Sequence, residues 1–455
     1  MDELIKNFPQ NFQWGTATAA YQVEGGVAEG GRGVSIWDTF SRLPGKIKNG
    51  DTGDVASDHF HHWQEDIDLL AELGVNAYRF SISWTRILPE GTGAINQKGI
   101  DFYSQIIDAL LERNITPFAT LYHWDLPQLL EDKGGWTNRK IVDAFLNYTD
   151  VVTRHFGDRV KHWMTLNEPS VFCFSGYYKG RHAPGRTSLK DALQATHHAL
   201  VAHGSAVDVI RANQPDAQVG IALSLGLAYP LSDSEADQIA AQRCDGYHNR
   251  WFADPLFGKG YPADMLDWYG SSAPIMLAVD LERIATPIDF LGINAYCPDY
   301  VISKPDSTFG FEALTGNKEA LTAAGYESTE LGWPIVPDAL TELLIRVQKD
   351  YAPPAIYITE NGAASTDVVE DGQVHDSDRI DYIQKHIRAI GSAVEQNVPV
   401  KGYFVWTFMD NFEWAMGLTI RFGLVYVDYQ NNQHRIPKSS FHWYKNLISQ
   451  TNSTT

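Results

Sequence analysis

Short apolar, β-branched runs alternate along the chain with stretches whose apolar residues recur every three or four positions. The first kind reads as buried strands: FQWGTAT (12–18), AYRFSIS (77–83), TPFATLYHW (116–124), VKHWMTLNE (160–168), AQVGIALSL (217–225), IDFLGINAY (288–296), AIYITE (355–360) and GYFVWTF (402–408). The second kind reads as helices. In WQEDIDLLAELGV, Ile67, Leu70 and Leu73 share one face, and Gly74 suits the left-handed residue that ends a helix. In DFYSQIIDALLERN the same spacing groups Tyr103, Ile106, Ile107, Leu110 and Leu111. Strands that alternate with helices pair in parallel. Eight such units predict the α/β class and one (β/α)8 TIM barrel, with its active site at the C-terminal ends of the strands. No composition break or Pro/Ser linker divides the chain, so residues 1–455 read as a single domain. The polar stretch 301–332 is too long for a plain connection and predicts a lid or binding loop. Residues from about 450 to 455 read as a polar tail.

The charge balance narrows the partners. Lys+Arg 36 against Asp+Glu 56 leaves a net −20, which argues against nucleic acid or an anionic membrane. The chain has no apolar run of roughly 18 residues, the length that would suggest a membrane span. The opening MDELIKNFPQ is polar and charged, unlike a secretory signal. Cys173, Cys244 and Cys297 are few and far apart, neither a disulfide framework nor a ligand set. A cytoplasmic protein is the expectation. The histidine-rich DHFHHW (58–63) and THHALVAH (196–203) lack the HExxH arrangement and read as helix faces, so no metal or cofactor is expected. Thirteen Trp and 21 Tyr offer faces that stack on sugars, beside their ordinary role in a core.

Chemistry gathers at the strand ends. The second strand carries Arg79, the third ends in His123-Trp124, and the fourth in Asn167-Glu168. The sixth ends in Asn294 and Tyr296, the seventh in Glu360, and the eighth in Trp406. Two carboxyl groups in different surroundings are what glycosidic cleavage requires, one holding a proton and one ionised. Arg79 would favour the ionised form of Glu360, whose charge then disfavours ionisation of Glu168.

Two of these runs, TLNEP (165–169) and YITENG (357–362), resemble the catalytic signatures of glycoside hydrolase family 1, the β-glucosidase family. The likeness extends through FPQNFQWGTATAAYQVEG (8–25), YRFSISWTRILPEG (78–91), TLYHWDLP (120–127) and WTFMDNFEWAMGLTIRFGLVYVDY (406–429). It implies a retaining β-glycosidase without metal or organic cofactor. Its substrates would be terminal β-D-glucosyl, and also galactosyl or fucosyl, residues of aryl glucosides and short oligosaccharides such as cellobiose. By the same resemblance Glu168 is the general acid/base and Glu360 the nucleophile. Gln22, His123, Asn167, Glu413 and Trp414 would bind sugar hydroxyls over a floor of Trp406. Arg79, Asn294 and Tyr296 would orient Glu360. Trp124 and Phe422 would shape the sugar pocket, and Trp333 would face the leaving group.

Three positions depart from the family pattern: Ser170, where tryptophan is frequent, Ser224 in place of asparagine, and Ala295 in place of tyrosine. Ser170 is expected to widen the leaving-group side and favour transglycosylation. A 6-phosphoglycosidase is the near alternative. That branch carries Ser, Lys and Tyr where this chain has Glu413, Ile420 and Phe422, so an unphosphorylated sugar is expected. A non-catalytic sugar-binding protein would need neither glutamate, and both are present.

Overall fold

The computed structural model describes residues 2–451. Positions 452–455 of the expected tail lie outside the described residues, while Gln450 and Thr451 belong to the last helix instead. The eight expected strands are all present, as β1 (Gln13–Ala17), β2 (Ala77–Ser81), β3 (Thr116–Tyr122), β4 (His162–Asn167), β5 (Gln218–Ser224), β6 (Phe290–Asn294), β7 (Ile356–Asn361) and β8 (Val400–Trp406). They close into a parallel barrel in sequential order, with β1 between β8 and β2. Ala17 pairs in register with both Trp406 and Arg79, which sets the ends of three strands at one level.

The barrel interior is solid. Phe118, Met164, Phe290 and Phe404 fill it, with the Phe118 ring 4.9 Å from Phe404 and 5.3 Å from Tyr357. This apolar plug supports the polar residues at the strand ends and keeps solvent from reaching them from below.

Helices α1 (His59–Leu73), α2 (Gln97–Glu112), α3 (Ile141–Phe156) and α4 (Leu189–Asn213) follow the first four strands. After β6, β7 and β8 come α5 (Pro337–Tyr351), α6 (Ser377–Glu395) and α7 (Ser439–Thr451). Ile67, Leu70 and Leu73 of α1 are fully buried, and Gly74 ends the helix at φ 81°, donating to the carbonyls of Leu70 and Ala71. In α2 the expected face is too wide: Tyr103, Ile106, Ile107 and Leu110 are buried, but Leu111 is exposed. At about 100° per residue Leu111 falls roughly a quarter-turn from the centre of that stripe. Between β5 and β6 the chain makes several short helices rather than one long one.

The stretch 301–332 is more ordered than a loop. Strand Asp299–Ser303 pairs with Phe311–Ala313 and with Ala228–Pro230, and helix Lys318–Ala323 follows. Among the described residues no helix is long and apolar enough to cross a membrane.

A buried ionic network ties the chain beyond β7 and β8 together. Lys438 donates to Asp367 and Asp410 at 2.5 and 2.7 Å, Arg379 pairs with Asp367 and Asp376, and Arg421 pairs with Asp410. Removing one partner strands buried charge. Lys438→Met should therefore cost about 3–5 kcal/mol, read as a lowered calorimetric midpoint; a loss below about 1 kcal/mol would mean the network is dispensable.

Candidate active site

Both glutamates sit where their strands lose register. β4 slips against β5 between Met164 and Asn167, and β7 slips against both neighbours just after Ile358. Such irregularities re-aim a side chain that would otherwise follow the pleat. Glu168 then adopts φ 47°, ψ 64°, and starts the short helix Pro169–Cys173. Trp124 at φ 81° and Trp414 at φ 49° are likewise left-handed. A non-glycine residue there stores about 1–3 kcal/mol, which the surrounding packing must sustain. Three of them border one cavity.

Arg79 is the centre of the hydrogen bonding. Its guanidinium donates to Glu360 Oε1 at 2.6 Å, Asn167 Oδ1 at 2.5 Å, the Thr359 carbonyl at 3.0 Å and Thr120 Oγ1 at 3.2 Å. Tyr296 donates to the other oxygen of Glu360 at 2.7 Å. Asn294 donates to Asn167 Oδ1 at 3.0 Å and accepts from Thr359 at 2.6 Å. The Asn167 side-chain NH2 therefore faces His123 Nε2, 3.0 Å away. An amide N–H can only donate, so Nε2 accepts and the imidazole proton sits on Nδ1. Burial and the Arg79 charge hold this ring neutral, with its pKa well below the usual histidine value.

The two glutamates differ as their roles would require. Burial, then the nearby charge of Glu360, pushes Glu168 up to about 8, with weaker opposition from Asn294, Arg79 and Ser224. Burial raises Glu360 as well, but Arg79 and Tyr296 pull it back. Among the described residues no arginine or tyrosine holds a Glu168 oxygen in this way, so a proton shared by the pair rests on Glu168. Burial and the Glu360 charge also push Glu413 up to about 8, which leaves it a neutral carboxyl near pH 7.

These residues border a cavity of about 380 Å³, within the range of small-molecule sites. Its walls include His123, Trp124, Glu168, Asn294, Tyr296, Trp333, Glu360, Trp406, Glu413, Trp414 and Phe422. Gln22, Asn167 and Arg79 stand just behind them. Trp124 and Trp414 lie 4.4 Å apart, and Trp406 is 5.9 Å from His123, so one end is an aromatic box. His123 Nδ1 and Gln22 Oε1 are buried without a hydrogen-bond partner among the described residues. An unmet buried polar group is costly, which makes these two atoms places for a ligand's hydroxyls.

Other expectations needed correcting or were missed. Ser170 does not form the leaving-group wall: it is buried, its hydroxyl has no partner, and the next residue, Val171, lines the cavity instead. One step along a helix turns the side chain by about 100°. His182, also a wall residue, lies in GRHAPGR, a turn by composition, where periodicity carries no sign of a role. The histidine-rich runs are structural: His59 contacts Asp66 at 2.7 Å, His197 contacts Asp280 at 2.8 Å, and His203 contacts Thr165 at 2.6 Å. Among the described residues no three His, Cys, Asp or Glu converge as metal ligands would.

A parallel barrel with two unequal, buried carboxyl groups in an aromatic cavity defines a glycosidase of the TIM-barrel class. Comparison with known proteins agrees. The model of "Glycosyl hydrolase family 1" matches residues 4–453. "Beta-glucosidase A" of Thermotoga maritima is 48% identical over 446 residues, 98% of each chain. A "Bifunctional beta-D-glucosidase/beta-D-fucosidase" of Bifidobacterium breve is 44% identical, covering 97% of this chain and 98% of its own. The solved structure of "Beta-glucosidase from Thermotoga maritima in complex with glucoimidazole" superposes with a TM-score of 0.93 at 48% identity, over 98% of this chain and 99% of that one. The chain belongs to glycosyl hydrolase family 1, and it is a glycoside hydrolase.

Gly362 explains how the β7 end keeps its place. A Cβ there would lie 1.8 Å from the Trp406 carbonyl oxygen, so only glycine lets the two strand ends come together. Gly362→Ala should displace Trp406 against Glu360 and lower kcat/KM by about 10²-fold, the usual result of a misplaced site, with circular dichroism unchanged. Full activity would show that the close approach does not matter.

Proposed function

We propose that the protein is a retaining β-glucosidase. It removes terminal non-reducing β-D-glucosyl residues, with galactosyl and fucosyl as further substrates, from aryl glucosides and short oligosaccharides such as cellobiose. The observation that carries this reading is the unequal setting of Glu168 and Glu360. Glu360, held by Arg79 and Tyr296, attacks the anomeric carbon, while Glu168 protonates the departing oxygen. Glu168, now ionised, then takes a proton from the water that releases the sugar. His123, Gln22, Asn167, Glu413 and Trp414 bind the sugar hydroxyls; Trp406 forms the floor, with Trp124 and Phe422 at the sides. Asn294 helps orient Glu360, and Trp333 faces the leaving group. The whole chain acts as one catalytic domain. Its three free cysteines suit a reducing cytoplasm, and its products suit the late steps of cellulose breakdown.

The 6-phosphoglycoside reading has no support in the cavity. Glu413 stands in the wall and offers a phosphate no positive charge. The stronger objection is that among the described residues no lysine or arginine lines the wall, and Arg421 is engaged by Asp410 at 2.5 Å. A phosphate needs such a cation.

The two glutamates can be separated by variants. Glu360→Gly should lose activity on every leaving group. Glu168→Ala should lose about 10²–10⁴-fold on phenyl glucoside, keep the first step on dinitrophenyl glucoside, and recover turnover with azide as the β-glycosyl azide. Equal losses on both substrates without azide rescue would overturn the assignment.

The pH profile gives a second check. The proton on Glu168 is present below about pH 8 and lost above it, so kcat/KM for phenyl glucoside should fall as pH rises through about 8. That limb should vanish when Glu168→Ala is assayed with dinitrophenyl glucoside. A limb that survives belongs to Glu413.

A further inference from the structure

Outward from the two glutamates, the cavity runs along a polar wall formed by His248, Asp299 and Thr315. Thr315 donates to one oxygen of Asp299 at 2.5 Å, and His248 Nδ1 stands 3.4 Å from the other. The side chains of His248 and Asp299 are 31% and 16% exposed, so they are accessible but partly withdrawn from water. Burial opposes charge on Asp299, yet its contacts with His248 and Thr315 hold its carboxyl below the usual range. His248 Nδ1 faces Asp299, and no described residue occupies Nε2.

The wall is also rigid. His248 lies on a π-helical turn, Gly246–Arg250, a local form frequent at functional sites. Its neighbour Asn249 clamps Gly226 through both the backbone N–H, at 3.2 Å, and the carbonyl, at 2.7 Å. A Cβ on Gly226 would lie 2.8 Å from the Cys297 carbonyl oxygen, which leaves no slack between these segments.

We propose that this wall selects a hydroxylated leaving group, so that the preferred aglycone is a second sugar rather than an aryl or alkyl group. His248 Nε2 and the remaining lone pairs of Asp299 are polar atoms that a ligand can hydrogen-bond. They are met by the O–H groups of a sugar, whereas an aryl ring would desolvate them without return. Trp333, whose ring is 5.0 Å from Tyr296, lines the same cavity and offers an apolar face for the sugar's C–H side. The inference rests on the β-glucosidase reading and names the substrate class within it.

The test compares kcat/KM for cellobiose with kcat/KM for phenyl β-glucoside. In His248→Ala and in Asp299→Asn the cellobiose-to-phenyl ratio should fall about ten-fold, and His248→Gln, which keeps a hydrogen-bonding group, should recover part of it. Asp299→Asn also loses contacts within its own loop, and His248→Ala guards against a loss caused by misfolding. A ratio that stays constant in both, because neither rate changes or both fall together, would overturn the proposal. If the unmodified enzyme cleaved neither glucoside, the glucosidase reading would fail and this one with it.

Discussion

The ion pair of Arg79 with Glu360 is the constraint around which the strand ends are arranged. Both side chains are withdrawn from water, at 0% and 4% exposure, and burying two charges costs more than their attraction returns unless every donor and lone pair is met. Here they are met by groups from three other strands: Thr120 of β3, Asn167 of β4, and Thr359 and Glu360 of β7 all accept from Arg79 of β2. The requirement to satisfy one buried guanidinium therefore brings distant parts of the chain to one point. It also leaves Glu168 as the carboxyl without a cation, which is why the proton resides there.

The rest of the site is built on rigidity of the same kind. Slipped register turns the glutamates inward, three non-glycine residues are held in left-handed backbone, and an apolar plug closes the barrel below. Each feature is unfavourable alone or needs support from neighbours. Together they fix both glutamates in place, and such preorganisation is where much of an enzyme's rate advantage originates.

The two ends of the cavity differ in character. Around the glutamates it is aromatic and deeply buried, with isolated unmet atoms on His123 and Gln22. Farther out the polar groups satisfy one another in part and remain in contact with solvent. The inner end is thus suited to holding a sugar through buried hydrogen bonds. The outer end can discriminate only by smaller factors, because water competes for its hydrogen bonds.

Local pattern determined the eight strands, the principal helices and the two glutamates. Apolar periodicity is a one-dimensional record of burial, and a carboxylate at the end of an apolar strand stands out because burial disfavours it. Leu111 and Ser170 were misread because a side chain's direction depends on helix phase, and a few tens of degrees decide between core and solvent or between wall and packing. His182 and Thr315 come from turns, His248 from a π-helical turn and Asp299 from the start of a short strand outside the barrel, and no shared period marks them. Only the tertiary structure could bring them to one cavity, because their proximity arises from barrel closure and not from any feature near them in sequence. The proton's location was decided in the same way: residue types supplied two similar acids, and the position of Arg79 in three dimensions made them different.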